Sequence, residues 1–274
     1  MKKIVIYSNP MRDVGLVMTN QVLELFKTRE DTGCVLTFPD DSAEVVGRAM
    51  AGADIVIALG GDGTILHAAR YAAKESVPIL GINAGNKGFM AELESVDGER
   101  ILSAAEGGNG IERRMMLDVE VLRDGKSVYS DFALNETVIS GRARLLHMTV
   151  RGDGRVISEL SGDGVVIATP TGSTAYSMAA GGPIMEPEAE NIIITPICAH
   201  AIFAKSFVLV PQRTVEVQLN DNDDRGAYVS ADGEVGFDLM SGDRIVVRES
   251  KYVTRLIRVT DTSFYEKVEK KLRK

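Results

Sequence analysis

Residues 54–67 read Asp-Ile-Val-Ile-Ala-Leu-Gly-Gly-Asp-Gly-Thr-Ile-Leu-His, from Asp54 to His67. The run Asp54 to Leu59 is short, apolar and β-branched, so it reads as a strand, and Thr64 to Lys74 carries apolar residues at helical spacing. A glycine loop therefore joins a strand to a helix. That order places Asp62 at the carboxyl end of a strand in a parallel sheet, where open α/β sheets bind ligands.

Outward from this stretch the same alternation continues. Ile4 to Tyr7, Cys34 to Phe38 and Val77 to Ile82 read as further strands, and Val14 to Lys27 and Ala43 to Met50 as helices; Val22, Leu25 and Phe26 share one helical face. The βαβαβα order predicts an α/β N-terminal domain with a parallel sheet over residues 1–108.

Past about residue 110 the rhythm becomes that of closely spaced strands. Asp124-Gly125 and Asp153-Gly154 predict hairpins pairing Leu117–Leu122 with Ser127–Phe132 and His147–Val150 with Val156–Leu160. One helix is expected near Ser173–Ala180, and strands at Ile192–Thr195, Val215–Leu219, Ala227–Ala231, Ile245–Arg248 and Thr254–Val259. Glu106 to Gly110 reads as a hinge and Asp97 as the opening of a helix or loop. The expectation is a mostly-β, sandwich-like C-terminal domain over 109–261, with a last helix, 262–274, able to pack back on the first domain.

Composition narrows the class. The chain has 274 residues, 45% hydrophobic and 26% charged, with a net charge of −8, which excludes disorder and argues against a surface built to track nucleic acid. Cys34 and Cys198 form no C-x-x-C pair, so a reduced, cytoplasmic setting is expected rather than a disulfide or zinc framework. The apolar runs Ile4–Tyr7 and Ile192–Ala204 are too short or interrupted for a signal or membrane segment, which predicts a soluble chain with no membrane partner. The acidic run Asp221–Asp224 reads as a solvated loop tip.

Gly60, Gly61, Gly63 and Thr64 at a helix start suit a phosphate, because backbone N–H groups can face one anion without Cβ interference. A carboxylate there repels that anion, so Asp62 points to chemistry: taking a proton from an attacking hydroxyl, or helping to hold Mg²⁺. A plain strand-to-helix turn is the alternative. A second constellation runs from Asp163-Gly164 through Thr169-Pro170-Thr171-Gly172-Ser173-Thr174-Ala175-Tyr176-Ser177 to Gly181-Gly182-Pro183. Its hydroxyls and free N–H groups suit a nucleotide's sugar and polar edge, or equally an ordinary capped helix.

GGDGT at 60–64 combined with DGVVIATPTGSTAYS at 163–177 resembles the NAD kinase family, as do Gly81-Ile82-Asn83, Gly85, Gly88-Phe89, Asn135-Glu136 and Asp232-Gly233. The resemblance implies a two-domain fold and a site between the domains where the adenosine ribose of NAD receives a phosphoryl group on its 2′-hydroxyl, giving NADP. It implies ATP or polyphosphate as donor, Mg²⁺ or another divalent cation, and a homodimer or homotetramer. It further implies Asp62 as the catalytic carboxylate. Gly63, Asn135, Glu136, His147, Asp163, Thr171, Thr174, Ala175, Tyr176, Ser177, Met178, Ala179 and Asp232 are implied to bind NAD, and His67, five residues beyond Asp62 on the helix leaving the glycine loop, is a further NAD-binding candidate from its position, or else a structural residue. Two polyanionic substrates also need local positive charge, for which Arg70, Lys87, Arg142 and Arg144 are candidates. Kinases of lipids or sugar phosphates share GGDGT, and a dinucleotide sensor without turnover would keep the same pocket.

Overall fold

The computed structural model describes residues 1–85, 88–142, 145–200, 205–220 and 226–273. Lys87, Arg144, the run Asp221–Asp224 and the end of the apolar stretch at 201–204 lie outside them. The first elements are β1 (Lys2–Ser8), α1 (Val17–Phe26), β2 (Thr32–Thr37), α2 (Ala43–Met50), β3 (Ile55–Gly60), α3 (Asp62–Glu75), β4 (Ile79–Asn83) and α4 (Gly98–Glu106). Then follow β5 (Gly110–Arg123), β6 (Lys126–Ala133), β7 (Glu136–Gly141), β8 (Leu146–Gly152), β9 (Arg155–Gly162) and β10 (Gly164–Ala168). The chain closes with α5 (Tyr176–Ala179), β11 (Ile192–Ile197), β12 (Phe207–Leu209), β13 (Val215–Leu219), β14 (Ala227–Ala231), β15 (Phe237–Leu239), β16 (Arg244–Arg258) and α6 (Phe264–Leu272). Two compact units result, Met1–Arg114 with Tyr252–Lys274, and Met115–Lys251.

In the first unit β2, β1, β3 and β4 pair in that order, all parallel, and the end of β16 adds Leu256 opposite Ile79 in the same sense. Every residue of β3 is buried, which is why its sequence is apolar throughout rather than alternating. The core gathers Ile6, Ile57 and Leu80 from the strands with Val22, Phe26 and Ile101 from the helices. The helix expected from Val14 starts later, at Val17, because Gly15 (φ 71°) and Leu16 (φ 53°) turn left-handed. Buried Asp13 caps it instead, accepting the N–H groups of Met18 and Thr19 at 2.9 and 2.8 Å. Asp97 opens α4, its side chain accepting the Arg100 N–H at 3.2 Å, and Gly107 (φ 88°) ends it just before β5. Gly107, Gly108 and Asn109 join α4 to β5.

The second unit packs two sheets face to face. One carries β16, β13, β8 and β9 as antiparallel neighbours, with β5 pairing β16 and β6 pairing β5; the other runs β12-β11-β10-β7-β14-β15, antiparallel throughout. Leu117, Met148 and Val217 from the first meet Val165, Ile194 and Val229 from the second. In β10 the side chains alternate between this core and a second cluster of Val166, Ala168, Ile193 and Val138, so both faces are covered. The two hairpins turn at Asp124-Gly125 (φ 52° and 75°) and Asp153-Gly154 (φ 47° and 77°), positive at both central residues as a two-residue loop demands.

Two further expectations are corrected. The helix near Ser173–Ala180 is broken at Ala175 (φ −104°, ψ −126°) into a 3-10 turn, Thr171–Thr174, and the short α5. Side chains hold that break: the Thr169 hydroxyl accepts the Gly172 N–H at 3.1 Å, and the Tyr176 N–H donates to Glu136 rather than to a helix ladder. The strands expected at Ile245–Arg248 and Thr254–Val259 are one, because Glu249–Val253 offers no Gly, Pro or Asn to turn the chain. Among the described residues no helix is long and apolar enough to cross a membrane.

Candidate active site

β3 lies between β1 and β4, so its carboxyl end opens onto the middle of the parallel sheet. The chain leaves it through Gly60 and Gly61 into α3, whose first residue is Asp62. A Cβ on Gly60 would stand 2.2 Å from the Thr64 hydroxyl, itself held by Asn9 Nδ2 at 3.1 Å; Gly60 therefore lets the helix start close against the strand. A Cβ on Gly61 or Gly63 would meet no protein atom. Those two glycines leave space open in front of the helix N-terminus, where an anion is favoured.

Asp62 is fixed by the loop after β4. Its carboxylate accepts the N–H of Phe89 at 2.7 Å and of Met90 at 3.0 Å, one on each oxygen. That loop is tied in turn to β4, Glu92 and Leu93 donating to the Gly81 carbonyl at 2.9 and 3.1 Å. Buried Glu92 then accepts from Val259 N, Thr260 N and the Thr260 hydroxyl at 3.0, 2.7 and 2.7 Å, with Arg258 3.0 Å from its other oxygen. Among the described residues, two of the four lone-pair positions of Asp62 stay available.

In front of this carboxylate the first unit has a cleft of about 300 Å³, lined by Asn9, Arg12, Gly61, Asp62, Gly63, Thr64, Ala84, Gly85, Gly88 and Lys271. Gly60 lies behind the lining. His67 is turned away into packing, its Nδ1 hydrogen-bonded to the Tyr7 hydroxyl and its ring stacked on Tyr7 with centroids 5.8 Å apart. Among the described residues no group of three or more His, Cys, Asp or Glu could hold a metal, and Asp62 is the one carboxylate lining the cleft. Mg²⁺ in phosphoryl-transfer sites keeps several waters and binds through one or two carboxylates plus substrate phosphates, so this donor set fits a cation that enters with a polyphosphate.

In the second unit Asn135, Glu136 and Asp232 meet at the start of β7. Asp232, at the turn between β14 and β15 (φ 53°), accepts Leu134 N and Asn135 N at 2.7 Å each and Glu136 N at 3.2 Å. Asn135 is pressed against the 171–174 turn, where a Cβ on Gly172 would fall 2.1 Å from the Asn135 carbonyl oxygen. Glu136 is 8% exposed, and its Oε2 has no partner among the described residues. Burial, and secondarily the charge of Asp232, pushes its carboxyl up to about 8, against the opposing pull of the Tyr176 N–H.

The remaining predicted residues divide. Tyr176 is 42% exposed beside Glu136, Met178 is half-buried and Ala179 exposed. Thr171 is buried, its carbonyl accepting the Thr174 hydroxyl at 3.3 Å, while Ala175 forms the break before α5. Ser177 points inward, its hydroxyl 3.0 Å from that of Thr195. Asp163 is exposed and bonded to the Cys198 thiol, which it pushes up; His147 on β8 is exposed and pairs with Ser161 at 2.6 Å. Arg142 is engaged by Asp238 at 2.6 Å and lies over the Tyr228 ring.

Residues 12–108 match the ATP-NAD kinase N-terminal domain and residues 134–259 the ATP-NAD kinase C-terminal domain. An NAD kinase of Lachnoclostridium phytofermentans is 37% identical over 275 residues, covering 97% of this chain and 96% of its own. The chain belongs to the NAD kinase family. Another NAD kinase, from Ruminiclostridium cellulolyticum, is 34% identical over 99% of this chain and 98% of its own. An NAD kinase from Archaeoglobus fulgidus, solved in complex with ATP, superposes with a TM-score of 0.78 at 27% identity over 100% of this chain and 99% of its own. Yeast NADH kinase, solved with NADH, shares the fold with a TM-score of 0.85 at 22% identity, over 100% of this chain and 88% of its own.

Family membership makes the chain a phosphotransferase, and the structure adds residues that reading GGDGT misses. Asn9, Arg12 and Lys271 come to the cleft from segments with no motif of their own, and the Phe89 and Met90 amides orient Asp62 through backbone groups that no side-chain pattern betrays. Gly88 carried the one available signal, as a glycine before Phe89 within the family resemblance.

Proposed function

We propose that this NAD kinase transfers the terminal phosphoryl group of ATP, or of inorganic polyphosphate, to the 2′-hydroxyl of the adenosine ribose of NAD. The observation that carries the reading is a carboxylate held on two backbone amides at the mouth of a glycine-lined cleft. A ribose hydroxyl attacks poorly until a carboxylate within hydrogen-bond reach takes its proton, and Asp62 is that base. The O2′–P bond forms, the bond from phosphorus to the bridging oxygen breaks, ADP (or the polyphosphate shortened by one phosphate) leaves, and the proton passes to Asp62. Gly61 and Gly63 leave the N-terminus of α3 open to the donor's phosphates.

Mg²⁺, carried in by the donor and approached by Asp62, would neutralise charge on the transferring group. In the second unit Asn135, Glu136 and Tyr176 take the adenosine end of NAD. Glu136, protonated near neutral pH, both donates and accepts, which suits vicinal sugar hydroxyls. Thr171, Thr174 and Asp163 contribute polar groups, and Asp232 acts by holding the 134–136 turn. The reading carries a cytoplasmic setting, consistent with two free cysteines, and a homodimer or homotetramer.

The test is an endpoint assay with NAD, Mg²⁺ and either ATP or polyphosphate, detecting NADP with an NADP-specific dehydrogenase. Formation of NADP with at least one donor supports the reading. No product with either donor, with NADH also tried as acceptor, rejects it.

A further inference from the structure

Two cations reach the same cleft from opposite ends of the sequence. Arg12 follows β1, Lys271 stands in the last turn of α6, and both line the space in front of Gly61, Asp62 and Gly63. Among the described residues neither is paired with a carboxylate. Lys271 is also fixed in place: its ammonium lies 4.0 Å from the centroid of the Phe89 ring, and Phe89 packs on Phe264 at the start of α6 with centroids 6.4 Å apart. The helix carrying it is closed at its start by the capping box of Ser263 and Glu266 and anchored by Lys267, whose ammonium donates to the Ala91 carbonyl at 3.1 Å. A lysine kept only for solubility needs none of this.

An ammonium over an aromatic face keeps its N–H donors free on the side away from the ring. Here the ring belongs to Phe89, whose own N–H holds Asp62 at 2.7 Å, so the positive charge and the carboxylate are referenced to one residue. A chain of phosphates is the ligand this arrangement suits: helix amides, a lysine point charge and an arginine fork all favour phosphate oxygens. We propose that Lys271, together with Arg12, binds the phosphate chain of the phosphoryl donor, making α6 part of the donor site. The proposal rests on reading the cleft as that site. ATP and inorganic polyphosphate share the chemistry, and the test separates them.

The experiment compares the intact protein with Lys271→Gln, Lys271→Arg and, as a control on an exposed position of the same helix, Lys270→Gln. KM is measured separately for MgATP and for NAD, thermal midpoints are recorded, and binding of magnesium inorganic triphosphate is followed by calorimetry. Lys271→Gln is expected to raise KM for MgATP about tenfold, the size of one lost charge-assisted hydrogen bond. It should weaken triphosphate binding similarly and leave KM for NAD and the thermal midpoint unchanged, with Lys271→Arg restoring most of the loss. An unchanged KM for MgATP overturns the proposal, as does a rise in both KM values accompanied by a lower midpoint. A defect with MgATP but not with triphosphate also overturns it, because the contact is then to the nucleoside. Should the wild-type protein form no NADP, the reading of the cleft fails by itself; the triphosphate arm still judges Lys271, equal binding by Lys271→Gln counting against it.

Discussion

Gly88 and the carboxylate of Asp62 occupy mutually exclusive space: a Cβ on residue 88 would stand 1.8 Å from Asp62 Oδ1 and 2.7 Å from Oδ2. The glycine is what allows Asp62 to reach the amides of Phe89 and Met90. Gly88→Ala therefore displaces the carboxylate or the loop that holds it. A displacement near 1 Å costs about 10²-fold in turnover. Steady-state kinetics should show kcat falling by that order while urea denaturation changes little, and an alanine variant with normal kcat would refute the relationship.

Glu136 makes stability pH-dependent. Its carboxyl is raised from 4.5 to about 8 in the folded protein, so between those values the folded state holds a proton that the unfolded state has released. Its contribution is fully present below the unfolded pKa and is lost as pH rises through the folded one, with a slope of at most about 1.4 kcal/mol per pH unit. Glu136→Gln should flatten the decline seen by denaturant titration between pH 5 and pH 8. A parallel decline in the variant assigns the slope to other groups.

Asp232 serves three backbone donors at once, those of Leu134, Asn135 and Glu136. Asp232→Ala leaves them without that acceptor and should destabilise the protein by about 2 to 4 kcal/mol. It also removes the negative charge that helps raise the Glu136 carboxyl, so carbon-13 NMR of labelled glutamate should find Glu136 titrating at lower pH than in wild type. An unshifted titration would show that burial alone sets it.

Glu92 is buried among Arg258 at 3.0 Å, Lys267 at 3.8 Å and the amides of Val259 and Thr260. Removing one partner from a buried ion pair leaves the other uncompensated, so Glu92→Ala should cost about 3 to 5 kcal/mol. Because Glu92 also ends the loop that positions Asp62, kcat should fall with it. A denaturation midpoint equal to wild type would show that the cluster does not hold this loop.

Much of the fold was legible where the determinant is local. The buried run of β3, the glycines after it and the two Asp-Gly turns all write their structure within a few residues. Features set by distant partners were not. The break at Ala175 depends on Glu136 drawing off the Tyr176 N–H, and the late start of α1 depends on Asp13 finding Met18 and Thr19. At the site, Asp62 stood out because a carboxylate among phosphate-binding glycines is electrostatically costly. Nothing local marked Lys271, whose meaning comes from the Phe89 ring beneath it.

Asp62→Asn is the decisive variant, because asparagine keeps the size of the side chain and one acceptor for the Phe89 or Met90 amide while losing the ability to take a proton. In NADP formation from NAD and MgATP, kcat should fall by about 10² to 10⁴-fold, with NAD binding by calorimetry and the thermal midpoint close to wild type. Turnover within a few-fold of wild type would contradict the assignment of Asp62 as the base.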